Sequence, residues 1–306
     1  MAGQQASELA PMILDGGLAS QLESQGHDLG TPLWTAALVR DNPQAIVDAH
    51  RAYLDAGADC IISSSYQAHR SNLAEQGYSA DDADALLTKS VQLARQSVDE
   101  FMADNPGAKQ PRVAASVGPY GAAQGDGSEY TGAYDTDDAG LLEFHEQRLK
   151  LLDESGADIL ACETIPNRIE AYILAQLLLD TKTPAWVSFS CKDGRTISDG
   201  SPLAEVASMF AMHPTVFAVG ANCTSPEYIS SLIDEIRYAA PDKLVVVYPN
   251  SGEKFDEIEE NWHGDVSDHD LAAESRKWRS AGASIIGGCC RTGPADIKAI
   301  KGALQS

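Results

Sequence analysis

Basic residues are scarce in this 306-residue chain: 22 Lys and Arg stand against 45 Asp and Glu, a formal net charge of −23. Such a polyanion repels phosphate backbones and anionic lipid headgroups, so neither nucleic acid nor a membrane surface is an expected partner. Charged ligands are expected to be cationic or zwitterionic instead. Long apolar runs are missing too, since no stretch approaches the ~20 residues that span a bilayer. The first eight residues, MAGQQASE, show no basic segment followed by an apolar one, so no secretory signal is expected and the cytoplasm is the expected location. Cysteine is sparse. Six in a chain of this length cannot build a disulfide scaffold, and in a reducing compartment thiols serve as core filler, catalysts or metal ligands. A dinucleotide loop is also lacking: Asp15-Gly-Gly-Leu-Ala-Ser has two glycines at the wrong spacing.

What is present suits a large core, with 43% apolar and 22% charged residues. Short runs of apolar and small residues recur at 12–16, 60–66, 112–119, 157–164, 185–191, 216–223, 244–250 and 284–290. Each is nearly continuous rather than alternating, as parallel strands covered on both faces require. Helical stripes lie between them, such as Leu87, Val91, Ala94, Val98 and Phe101 in 82–103, and Ile229, Leu232, Ile233 and Ile236 in 226–240. The recurring phrases Ala56-Gly-Ala-Asp, Ser155-Gly-Ala-Asp and Ala281-Gly-Ala-Ser place a left-handed glycine cap between a helix and the next strand. Eight strand–helix units in about 300 residues predict an α/β fold, a single (β/α)8 TIM barrel. Long βα loops, 120–137 after strand 3 and 250–267 after strand 7, are expected to act as lids. No linker breaks the pattern, so residues 1–306 read as one domain, working as a monomer or a small homo-oligomer.

A barrel of this kind places its site at the carboxyl ends of the strands. Those ends read Asp15-Gly16-Gly17, Tyr66-Gln67, Gly118-Pro-Tyr120, Glu163-Thr164, Ser190-Cys191, Asn222-Cys223, Tyr248-Pro-Asn250 and Cys289-Cys290-Arg291. Cys223, Cys289 and Cys290 thus converge on one mouth. Three thiolates with an open fourth position make a zinc site possible, Gly287-Gly288 permitting the bend that turns both adjacent sulfurs inward. The same residues also fit two other readings: small buried hydrophobes, or a redox pair in which Cys289 and Cys290 form a vicinal disulfide. Of the seven histidines only His69 falls near a strand end, and all are read as surface or helix residues rather than ligands.

Asp15-Gly-Gly, Gly220-Ala-Asn-Cys and Gly287-Gly-Cys-Cys-Arg-Thr-Gly-Pro, in this order, resemble the homocysteine S-methyltransferase family, a zinc-dependent (β/α)8 barrel, from Met12 to about Ile300. The resemblance implies that Cys223, Cys289 and Cys290 hold Zn2+ and that homocysteine is methylated to methionine. It also implies that Asp15 and Glu163 accept hydrogen bonds from the substrate ammonium, that the Gly16 and Gly17 backbone N–H groups receive its carboxylate, and that Asn222 orients a ligand. In the betaine-using branch a tyrosine at the end of strand 2 takes the fourth metal position. Here Gln67 falls at that position, with Tyr66 one residue earlier.

The phrase Gly118-Pro-Tyr-Gly followed by Asp126-Gly-Ser-Glu-Tyr130 is similar to the branch that uses sulfonium donors, S-methylmethionine before S-adenosylmethionine. Neither the carboxyl-terminal arm of the betaine branch nor a folate or cobalamin module is expected beyond the eighth helix. A sulfonium suits an acidic protein with Tyr66, Tyr120, Tyr130 and Trp262 expected near the mouth, each offering ~0.5–2 kcal/mol of cation–π attraction. The competing expectations are a betaine-dependent homocysteine methyltransferase, a thiol oxidoreductase using Cys289 and Cys290, and a non-catalytic thiol- or zinc-binding protein.

Overall fold

The computed structural model describes residues 12–30, 35–252, 254–256, 261–263 and 270–305, and of 254–256 and 261–263 it describes the backbone alone. Each of the eight apolar runs contains a strand: β1 (Met12–Ile13), β2 (Cys60–Ile62), β3 (Arg112–Val117), β4 (Ile159–Ile165), β5 (Ala185–Phe189), β6 (Val216–Asn222), β7 (Leu244–Tyr248) and β10 (Ala283–Ile286). A separate antiparallel hairpin, β8 (Lys254–Asp256) with β9 (Asn261–His263), stands in the connection after β7. The eight strands pair in parallel in the order β1-β10-β7-β6-β5-β4-β3-β2. A parallel bridge between Leu14 and Cys60 joins the two ends, so the ring closes as the expected (β/α)8 barrel.

Helices fill the connections because their stripes match the sheet's outer surface. The helix Ala80–Asp104 begins at a capping box in which Ser79 accepts from the Asp82 N–H, and it buries Leu87, Val91, Ala94 and Val98. The helix Ile229–Ala239 buries Ile229, Leu232, Ile233 and Ile236, all four expected positions. Gly57 and Gly282 sit at φ 101° and 120° after their helices, a backbone region closed to most side chains.

Side-chain parity divides the core into two shells. Outward residues such as Ile61, Val113, Leu160, Val187 and Val247 pack under the helices. Inward residues Leu14, Cys60, Ala114, Ala161, Trp186, Ala218, Val246 and Ile285 fill the barrel. Toward the carboxyl ends the inward series turns polar: Ser116, Glu163, Ser188, Asn222 and Tyr248 succeed the apolar residues on their own strands. The barrel interior is thus an apolar plug with a polar floor above it, and the site stands on that floor. Among the described residues no helix is long and apolar enough to cross a membrane.

Candidate metal and substrate site

A cavity of about 520 Å³ opens at this end, lined by Asp15, Gly16, Gly17, Tyr66, Gln67, Glu129, Tyr130, Glu163, Thr164, Tyr248, Arg291 and the three cysteines, among others. The Sγ atoms of Cys223, Cys289 and Cys290 all lie within 4.8 Å of one another. Cys223 and Cys289 meet as a disulfide with Cα atoms 5.5 Å apart, and Cys223 Sγ is 3.6 Å from Cys290 Sγ. The redox expectation paired Cys289 with Cys290. The structure instead links Cys289 to Cys223 and leaves Cys290 a free thiol. Cys60, Cys162 and Cys191 are buried free thiols and serve as core filler.

Backbone hydrogen bonds hold the sulfur-bearing turns together. Cys223 N–H donates to the Tyr248 carbonyl at 3.2 Å, Cys289 N–H to the Pro249 carbonyl at 2.8 Å, and Ser251 N–H to the Cys290 carbonyl at 3.1 Å. Among the described residues the non-glycine positions with positive φ are Thr164 (62°), Cys223 (47°) and Arg291 (63°), all lining this cavity. Strained backbone of this kind persists where surrounding contacts over-determine it, and it concentrates at sites that aim side chains. Gly287 and Gly288 serve close approach rather than an unusual φ. A Cβ at Gly287 would fall 2.5 Å from Leu14 Cβ, and one at Gly288 2.2 Å from Thr292 Oγ1.

The donor set fits a thiophilic metal ion. A tetrahedral ion with bonds of ~2.3 Å needs sulfurs roughly 3.8 Å apart, close to the Cys223–Cys290 separation, and the Cys223–Cys289 disulfide must be reduced before all three sulfurs can serve as thiolates. Burial pushes the Cys290 thiol up to about 12, opposed by Tyr130 and reinforced by the negative charge of Glu129. A cation among the three sulfurs is what makes thiolates there affordable.

Asp15 is buried, with Oδ2 accepting from the Ile62 N–H at 2.8 Å while Oδ1 has no hydrogen-bond partner. Its pKa is raised well above the ordinary carboxylate value, chiefly by burial and in part by Glu163. Glu163 accepts from Ser116 Oγ through Oε1 and from Tyr248 Oη through Oε2, the latter at 3.1 Å. Burial lifts its pKa to about 7 despite the Ser116 and Tyr248 hydrogen bonds and the positive charge of Arg148. An orphaned carboxylate oxygen on Asp15, and a second acid whose burial outweighs its hydrogen bonds and the Arg148 charge, are what a substrate ammonium would satisfy.

Several expectations change. The Gly17 N–H donates to the Thr292 carbonyl at 2.9 Å, so it is not open to a substrate carboxylate. Gly16 and Gly17 are instead demanded by packing, since a Cβ would fall 2.5 Å from Thr292 O or 2.6 Å from Cys289 O. Asn222 does not line the cavity. Its Oδ1 accepts from Thr164 N–H and Ser188 Oγ, both at 2.8 Å, and its Nδ2 donates to Thr164 Oγ1 at 2.7 Å, bracing the strained turn after Glu163. Tyr120 packs against Tyr134 and Phe144, away from this cavity, whereas Tyr66 and Tyr130 line it. The Trp262 side chain and most of the 250–267 loop lie outside the described residues. His50 and His145 are helix residues as expected but fully buried, not on the surface, and His69 caps the helix Arg70–Glu75.

The sequence reading assigned no role to Tyr248, Ser116, Thr164 or Glu129. Tyr248 and Ser116 were within reach of a parity argument: both point inward on the level of Glu163. Tyr248 Oη is also 3.0 Å from Trp186 Nε1 and 2.7 Å from Ser188 Oγ, joining the polar floor to the apolar plug.

The family model of homocysteine S-methyltransferases matches residues 12–304. The homocysteine S-methyltransferase of Bacillus subtilis (strain 168) is 43% identical over 293 residues, 94% of this chain and 93% of that protein. The crystal structure of the homocysteine methyltransferase from Escherichia coli in its metallated form has a TM-score of 0.86 at 40% identity, covering 95% of each chain. Its oxidized form has the same TM-score at 41% identity and the same coverage.

Proposed function

The chain belongs to the homocysteine S-methyltransferase family, and from that premise we propose a zinc-dependent enzyme that moves a methyl group from a sulfonium donor, S-methylmethionine before S-adenosylmethionine, to homocysteine. The observation that carries this reading is the gathering of Cys223, Cys289 and Cys290 beside the unpartnered Asp15 Oδ1 in one cavity. A zinc ion held by the three cysteines supplies the positive charge that keeps the homocysteine sulfur a thiolate at neutral pH.

The protein's own groups do the rest. Asp15 Oδ1 and Glu163 accept hydrogen bonds from the homocysteine ammonium, the Ser116 and Tyr248 hydroxyls holding Glu163 in place. Gly16 marks the carboxylate side of the cavity, Tyr66 and Gln67 close the wall from β2, and Asn222 acts through Thr164. The attacking and leaving atoms both lose charge as the methyl group moves, so a pocket that excludes water favours transfer. The trio works only as thiolates, which assigns the enzyme to a reducing, cytoplasmic setting.

The test is a donor panel with purified zinc-loaded protein, following methionine formed from homocysteine. S-methylmethionine should give the highest kcat/KM and betaine little or none. No methionine from either sulfonium, or full turnover by metal-free protein, would overturn the reading. An oxidoreductase would instead cycle its thiols with a reductant and need no metal.

A further inference from the structure

The cavity contains a third acid beyond the pair needed for one ammonium. Asp15, just after β1, and Glu163, on β4, line the cavity together, and the charge of Glu163 raises the Asp15 pKa. Glu129 stands apart from them, on the 3-10 turn Ser128–Tyr130 of the loop that follows β3. It is only 7% exposed, and its Oε2 has no contact with solvent. The turn that carries it is closely packed. A Cβ at Gly121 would lie 2.4 Å from the Glu129 nitrogen, and the Glu129 carbonyl accepts from Ser190 Oγ at 3.1 Å. Glu129 lines the cavity together with Tyr66, Tyr130 and Cys290.

We propose that Glu129 is the residue that recognises the methyl donor: its carboxylate faces the donor's positive sulfur, with the Tyr66 and Tyr130 rings beside it, and selects cationic donors over neutral ones. The inference rests on the sulfonium reading above and adds the residue responsible. In the transfer the homocysteine thiolate contributes the electron pair of the new S–CH3 bond. The old CH3–S bond breaks with its pair passing to the donor sulfur, which leaves as a neutral thioether. With S-methylmethionine both products are methionine, and the one proton released is the thiol proton of homocysteine. The donor's positive charge is greatest before transfer and fades along it. Attraction to Glu129 therefore strengthens donor binding more than it lowers the barrier from the bound state.

Glu129→Gln, assayed with S-methylmethionine and homocysteine, separates these terms. The expected result is a donor KM raised about tenfold or more, with kcat and the homocysteine KM changed by less than about threefold, which is a loss of uniform binding to one substrate. Glu129→Asp keeps the charge and should recover part of the donor affinity. Zinc content and melting temperature of both variants should match the parent. An unchanged donor KM overturns the proposal, as does a rise confined to the homocysteine KM. A fall in zinc content also overturns it, by giving Glu129 to the metal instead. If the parent protein makes no methionine from any sulfonium, the underlying reading falls with it. If the parent turns over and the variant matches its donor KM, only the role of Glu129 is lost.

Discussion

Cys223 combines two requirements that rarely meet in one residue, a sulfur aimed at two others and a backbone φ of 47°. Neighbouring strand ends hold it there through the bond from its N–H to the Tyr248 carbonyl. Replacing Cys223 or Cys290 with Ala leaves two sulfurs, and elemental analysis should show zinc falling from about one per chain toward none, with methionine formation lost in parallel. Cys162→Ala, in the outer shell, should keep its zinc. Glu163 offers a pH test. Its pKa near 7 means that its anion, the form that receives an ammonium, disappears as pH falls through neutrality. The homocysteine KM should rise by up to about tenfold between pH 8 and pH 6, one protonation step per pH unit below the pKa. In Glu163→Gln that rise should flatten, with KM high throughout. A parent profile no steeper than that of the variant would remove Glu163 from substrate binding.

Two active-site loops are fastened by one helix, Asp138–Asp153. Arg148, buried and facing no carboxylate among its hydrogen-bond partners, donates to the carbonyls of Ser65, Tyr66 and Gly118 and so joins the ends of β2 and β3. One turn earlier His145 Nε2 lies 2.7 Å from Glu170 Oε1, and both side chains are wholly buried. Glu170 also accepts from the Tyr120 N–H at 2.6 Å and the Tyr134 hydroxyl at 2.9 Å, gripping the loop after β3 at both ends. The 120–137 loop supplies a wall of the cavity and contains a short helix, Tyr120–Gln124, and the turn that bears Glu129 and Tyr130. Glu170→Gln would turn an amide donor toward at least one of its three partners, of which His145 is fully buried and Tyr120 and Tyr134 are half-buried. A stability loss of about 1–3 kcal/mol is expected, the penalty for a buried group left unpaired. Denaturant unfolding would measure it, and kcat/KM should fall while zinc content holds. An unchanged midpoint would show that the loop is fastened elsewhere.

At the scale of the whole molecule the site depends on the barrel's filling. Trp186 is fully buried in the plug, and its indole N–H reaches Tyr248, which in turn holds Glu163. Trp186→Ala should cost about 3–5 kcal/mol through lost burial and the cavity left behind. For a chain somewhat larger than 250 residues each kcal/mol is worth roughly 2–4 °C, so a thermal melt should shift down by roughly 6–20 °C. The homocysteine KM should rise as well, because the Tyr248 hydroxyl that holds Glu163 loses one of its partners. A melt shift without any change in KM would show that plug and site are independent.

Much of this was legible in the residues themselves. Continuous apolar runs such as 244–250 and 157–164 marked buried parallel strands, and their count implied a closed ring, because hydrophobic period and strand burial are local properties of the chain. The cysteines at 223, 289 and 290 could be assigned to one mouth, since alternate β and α units put every strand's carboxyl end on the same face. Distances between side chains could not be read that way. Whether the Gly17 N–H was open, whether Asn222 met a ligand or braced Thr164, and which sulfur lay against Cys223 all depend on hydrogen bonds between strands far apart in sequence. Those partners are chosen by register and by the strained turns at Thr164, Cys223 and Arg291, and they exist only once the barrel has closed.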